Sequence, residues 1–197
     1  MESLNIQNIR EAQILYKISE KYGRLNVRTQ NYVDEEFSTV LARKRVIGVL
    51  YRGTDYVKFR PPGHPIQPTL QQLAEVCKAR IAEQRYRYIY ITTDEKRAVD
   101  YFTYKFPECE ILVNKRTYFD EFYKEPTTKD IASCRHEREK DKYFTALEYI
   151  SSVRLLARRD ELVSGNCGGS REAMILNGGK YKYVKIFDLG SYRTLLH

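Results

Sequence analysis

A chain of 197 residues and 23.3 kDa is long for one small domain and short for two, so one domain with an added arm is the expectation. At this mass about 70% of the unfolded surface is buried on folding, enough for a core without staples. With 30% charged residues, a mean hydropathy of −0.59, no apolar run near the ~20 residues of a membrane span and no signal-peptide pattern at the start, the membrane-spanning, collagen-like and fully disordered classes are excluded.

Lys and Arg number 34 against 26 Asp and Glu, a net charge of +8. A basic surface suits phosphates and other polyanions. The signs are mixed, however: Arg135 to Lys142 (RHEREKDK) reads as a solvated helix face. The 17 tyrosines fall within expected strands and helices rather than along one loop, so no nucleic-acid partner is expected. Cys77, Cys109, Cys134 and Cys167 lack metal-ligand spacing. They read as reduced thiols of a cytoplasmic protein, with no metal site.

In chain order, Asn8 to Tyr22 carries an apolar stripe at helical spacing and ends at Gly23. Val33 to Arg43 is a second expected helix, closed by the basic pair Arg43 and Lys44. Arg45 to Tyr51 (RVIGVLY) is a near-continuous β-branched run, as in a strand buried on both faces of a parallel sheet. A proline-rich loop follows, then a helix from Thr69 to Gln84. The alternation continues with strands at Tyr88–Thr92, Glu110–Val113, Glu161–Ser164 and Tyr183–Phe187. Helices are expected at Glu95–Phe106, Asp141–Arg158 and Ser170–Leu176. Residues 1–44 thus form a helical amino-terminal segment, and 45–197 an α/β, Rossmann-like, doubly wound parallel sheet.

Ligands of such sheets bind beyond the carboxyl ends of the strands. Three segments lie there. Arg52-Gly53-Thr54-Asp55 offers a guanidinium fork for phosphate oxygens and a glycine for close backbone approach; a plain turn is the alternative. Thr93 or Asp94 is either the N-cap of the next helix or, for Asp94, a carboxylate that accepts the paired N1–H and N2–H₂ donors of guanine. Gly165-Asn166-Cys167-Gly168-Gly169-Ser170 is either a tight turn or a helix start whose backbone N–H groups hold a phosphate. That all three fall at strand ends on one side of the sheet favours a nucleoside-diphosphate site.

GVLYRGTD (Gly48 to Asp55), His64-Pro65-Ile66, ITTDE (Ile91 to Glu95) and ELVSGNCGGSR (Glu161 to Arg171) resemble, in that order, the carboxyl-terminal domain of GDP-fucose-dependent fucosyltransferases. The α-1,6 group and its bacterial nodulation relatives are the nearest pattern. There the first motif runs His-Val-Arg-Arg-Thr-Asp, followed by His-Pro-Ile, a Thr-Asp-Asp segment and a serine-rich turn. The resemblance implies half of a GT-B architecture, a nucleotide-sugar-binding domain for GDP-fucose or a related GDP-sugar, and a carbohydrate acceptor held by a separate domain. It implies inverting transfer to a sugar hydroxyl in polysaccharide or glycoconjugate synthesis, with no metal or cofactor beyond the donor. It makes Arg52 the β-phosphate ligand and electrostatic catalyst, with Asp55 closing its motif. Asp94 becomes the guanine reader, beside Thr93. Gly53, Thr54, His64, Gly165, Cys167, Gly168 and Ser170 complete the donor site. The sequence departs from the pattern at Leu50, Gly53 and Arg60, which stand in place of a histidine, an arginine and the glutamate assigned as base. His64 is either a substitute base or, the favoured reading, a loop histidine shaped by Pro65. A GDP-sugar-binding module without turnover is the alternative.

Overall fold

The computed structural model describes residues 9–41, 45–120 and 134–193. Within them, β1 (Ile47–Tyr51), β2 (Tyr88–Thr93), β3 (Glu110–Leu112), β4 (Glu161–Gly165) and β5 (Tyr183–Phe187) form one all-parallel sheet in the order β3-β2-β1-β4-β5. This order reverses between β1 and β4, and in open α/β sheets such a switch point forms the crevice in which ligands commonly bind.

Strand periodicity explains how both faces are covered. Ile47, Val49 and Tyr51 of β1, with Ile89 and Ile91 of β2 and Val163 of β4, pack in a core with α4 (Leu70–Gln84) and α5 (Lys96–Lys105) through Leu73, Cys77, Ala98 and Phe102. Leu50, Tyr90 and Leu162 point the other way. They join Leu155 and Leu156 of α6 (Asp141–Ala157) and Ala173 of α7 (Gly168–Asn177). Gly48 lets α6 approach the sheet: a Cβ there would lie 2.7 Å from Leu156 Cδ1 and 2.9 Å from Arg159 Cγ. The doubly wound α/β architecture is as expected.

At the amino end, α1 (Ile9–Tyr22) packs against α7 and α2 (Val27–Val40) against α6. α2 starts six residues before the expected Val33. Asn26 caps it by accepting from Thr29 N at 2.9 Å, a signal masked by the polar run that follows. Arg43 and Lys44, and the expected start at Asn8, lie outside the described residues. RHEREKDK is not a helix face: α6 begins only at Asp141. Arg138 in this stretch instead pairs with Asp141 at 2.7 Å and Glu148 at 2.6 Å, an attraction that overrides the alternating pattern. No described helix is long and apolar enough to cross a membrane. The four cysteines are free thiols.

Candidate functional site

The turn after β1 continues into a short helix, α3 (Thr54–Phe59), where the sequence suggested only a turn. Asp55 folds its carboxylate back on this helix start, accepting from Tyr56 N at 3.0 Å and from Thr54 Oγ1 at 3.2 Å. The same Oδ1 receives Arg52 Nη2 at 3.0 Å. Nη1 of Arg52 pairs with Asp94 at the end of β2. The guanidinium carbon sits 5.0 Å from the Tyr56 ring centroid. Burial works against the Arg52 charge, but Asp94 and Asp55 hold its pKa above the ordinary arginine value. Arg52 is a fixed cation.

Asp94 holds a second arginine, one outside the expected set of site residues. Arg116, whose side chain is 7% exposed, pairs with the other Asp94 oxygen and reaches Thr92 Oγ1 at 3.3 Å. Its Nε has no hydrogen-bond partner among the described residues. Arg116 lies just beyond β3, where the rule that picked out Arg52 and Asp94 applies equally. Its surrounding sequence, NKRTY, carries neither glycine nor periodicity to draw attention.

These groups line a cavity of about 650 Å³ at the carboxyl ends of β1, β2 and β4, within the ordinary range for small-ligand pockets. Arg52, Thr93, Asp94, Arg116, Cys167 and Gly168 all line it, as do Glu148 and Tyr149 of α6. A Cβ on Gly168 would meet nothing within 4 Å, so the first turn of α7 borders open space. Burial, reinforced by Glu172, pushes the Tyr149 phenol up to about 12, leaving it a neutral donor at neutral pH.

Other expected site residues serve the scaffold. Gly53 makes room for the Glu95 carboxylate, which accepts from the Thr54 backbone N–H. Thr54 is fully buried, at φ 44°. Gly165 makes room for Gln67 and Pro68. Gln67 Nε2 donates to Asn166 O at 2.9 Å. Ser170 Oγ accepts from Cys167 N at 3.0 Å and donates to its carbonyl at 2.9 Å, closing the start of α7. Neither Thr93 nor Asp94 caps α5. Asp120 does, accepting from Lys96 N at 3.1 Å and Arg97 N at 3.3 Å. His64 is exposed, its ring edge-on to Tyr56 at 5.1 Å, one layer outside the cavity. Arg60 ends α3 in the left-handed region at φ 48°.

Asp94, expected to read guanine, is in direct contact with both guanidiniums, Arg52 on one oxygen and Arg116 on the other. In a nucleoside diphosphate the base and the β-phosphate are separated by the ribose and the α-phosphate.

No family model and no curated protein matches the chain. Among solved structures it is similar to POFUT1 in its apo form, with a TM-score of 0.52, 15% identity, and coverage of 90% of this chain and 49% of that one. POFUT1 in complex with GDP gives a TM-score of 0.52 at 14% identity, covering 90% and 51%. The fold is theirs. NodZ α-1,6-fucosyltransferase soaked with GDP-fucose aligns at a TM-score of 0.47 and 17% identity, covering 84% and 46%; the fold comparison rests on POFUT1. The chain spans about half the length of the structures it matches.

Proposed function

We propose that this chain is the donor-binding domain of a glycosyltransferase that uses a GDP-sugar, GDP-fucose being the first candidate. The observation that carries the reading is the fixed cation Arg52 at the carboxyl end of β1, sharing the switch-point cavity with the open first turn of α7. POFUT1, whose fold this chain shares, is found with GDP and with GDP-fucose. The ordered motifs of the sequence support the same reading.

In this reading the diphosphate lies between Arg52, Arg116 and the α7 amino terminus, where an anion meets two guanidiniums and free backbone N–H groups. The nucleoside lies toward α6, and Glu148 is the carboxylate that meets the base. A sugar hydroxyl attacks the anomeric carbon, the bond to the diphosphate oxygen breaks, and the anomeric centre inverts. Arg52 and Arg116 stabilise the charge that develops on the leaving diphosphate, a role that needs no metal. The acceptor hydroxyl's proton goes to a base supplied with the acceptor, from a separate domain.

One observation favours the module without turnover: the lining carboxylates are each held by arginine, Asp94 by Arg52 and Arg116, Asp141 and Glu148 by Arg138. Calorimetric titration with GDP, ADP, UDP and GDP-fucose, with and without EDTA, tests the common part. GDP binding unaffected by EDTA supports it, and a preference for UDP overturns it. Release of GDP from GDP-fucose on adding an acceptor-binding partner separates enzyme from module.

A further inference from the structure

The donor cavity occupies one end of the sheet. At the other end, where strands begin, a second cavity of about 680 Å³ opens between α1, α6 and α7. Arg159 and Asp160 directly precede β4, and Lys180 and Lys182 precede β5. The wall carries five cations, Arg154, Arg158, Arg159, Lys180 and Lys182, against two carboxylates, Glu20 and Asp160.

Asp160 and the nearby Asp34 are committed carboxylates. Asp160 accepts from Lys182 Nζ at 2.9 Å and from Val46 N at 2.9 Å. Asp34, outside the wall, pairs with Arg158 at 2.8 Å. Arg154 Nη2 donates to Gly23 O at 3.1 Å, and Lys180 Nζ rests 5.2 Å from the Tyr16 ring centroid. A net positive field remains.

Arg159 sharpens the case. It is 4% exposed. Its Nε donates to Leu155 O at 2.8 Å, and its guanidinium carbon lies 5.3 Å from the Phe37 ring centroid. Among the described residues its Nη2 has no hydrogen-bond partner. Burial lowers its pKa to about 10, still charged at neutral pH. An interior guanidinium with an unmade hydrogen bond is costly, and an anion beside it removes the cost.

We infer that this cavity is a second ligand site, taking a compact anion of the phosphate class. Guanidinium and ammonium donors converging on one hollow suit a tetrahedral dianion. A long polyanion is disfavoured by Glu20 on the wall and by enclosure between helices. The inference is independent of the donor reading, because it uses the opposite end of the strands.

The test is calorimetric titration of the full chain with inorganic phosphate and with glycerol 3-phosphate at constant ionic strength. The arms separate free phosphate from a phosphate ester, and binding of either supports the inference. Binding is expected in the wild type and in Arg52→Ala. Lys180→Ala/Lys182→Ala, changed at the surface, should weaken it about tenfold while leaving GDP affinity within twofold. Arg159→Met should abolish it, with a phosphate-free melting point at or above that of wild type, because an unpaired interior charge is removed. Should Arg159→Met not fold, the lysine pair alone decides. Phosphate affinity within twofold of wild type in Lys180→Ala/Lys182→Ala overturns the inference. So does loss of all phosphate binding in Arg52→Ala, or binding of heparin without any response to phosphate.

Discussion

The carboxylate of Glu95 stands in the space that a side chain on Gly53 would need. One oxygen accepts from Thr54 N; the other pairs with Arg97 Nε at 2.6 Å. Glu95 is wholly buried, so the exits of β1 and β2 are locked together through it. Gly53→Ala is expected to destabilise the protein by about 1–3 kcal/mol, the usual cost of overpacking an interior. Urea denaturation measures it. An unchanged midpoint would mean that the Glu95 contact is dispensable.

Arg52 and Arg116 should dominate phosphate affinity. Arg52→Ala is expected to weaken GDP binding by about ten- to a hundredfold, the worth of a charge-assisted contact. Arg52→Lys should recover only part, since an ammonium lacks the planar fork. Arg116→Ala should lose about tenfold. Titration calorimetry reads all three, and wild-type affinity in Arg52→Ala would remove the phosphate assignment.

Asp94 and Glu148 differ in what they change. Asp94→Asn loosens two guanidiniums, so GDP, ADP and inorganic pyrophosphate should all weaken in similar proportion. Glu148→Gln should lower the ratio of GDP to ADP affinity by about tenfold, because one lost pairing with a base edge distinguishes the two nucleotides. A ratio that falls in Asp94→Asn and not in Glu148→Gln would return the base contact to Asp94.

Acid should weaken the fold partly through Asp160. Burial opposes its charge, but Lys182 and the Val46 N–H hold its pKa below the ordinary carboxylate value. A depressed folded pKa contributes stability above the unfolded value of about 3.9, lost as pH falls through the folded one. Asp160→Asn should therefore be less stable than wild type at about pH 7, and the gap should narrow toward about pH 3. Urea midpoints at the two pH values check this, and a constant gap would contradict it.

The sheet was legible because its strands are buried on both faces and so read as apolar runs, RVIGVLY and YIYIT among them. The convergence of Arg52, Asp94 and the 165–170 turn followed from the strand-end rule. What failed was finer. α3 hides in a motif that reads as a turn, since six residues give periodicity no room. The roles of Gly53, Gly165 and Ser170 depend on Glu95, Gln67 and Cys167, and the first two partners come from elsewhere in the chain. Arg138 looked like solvated surface because its partner Glu148 lies ten residues onward, on a helix that had yet to fold back.

The central strand pair has a consequence for how the molecule assembles. Val46 N donates to Asp160 across 114 positions of sequence, and β1 lies directly beside β4. Closing so long a loop is slow compared with forming local helices. One wall of the cavity hangs on each of these strands, so an intermediate lacking their docking has no pocket. A formed cavity thus requires this long-range pairing, and a ligand that fills it during refolding should stabilise the finished state without accelerating its formation.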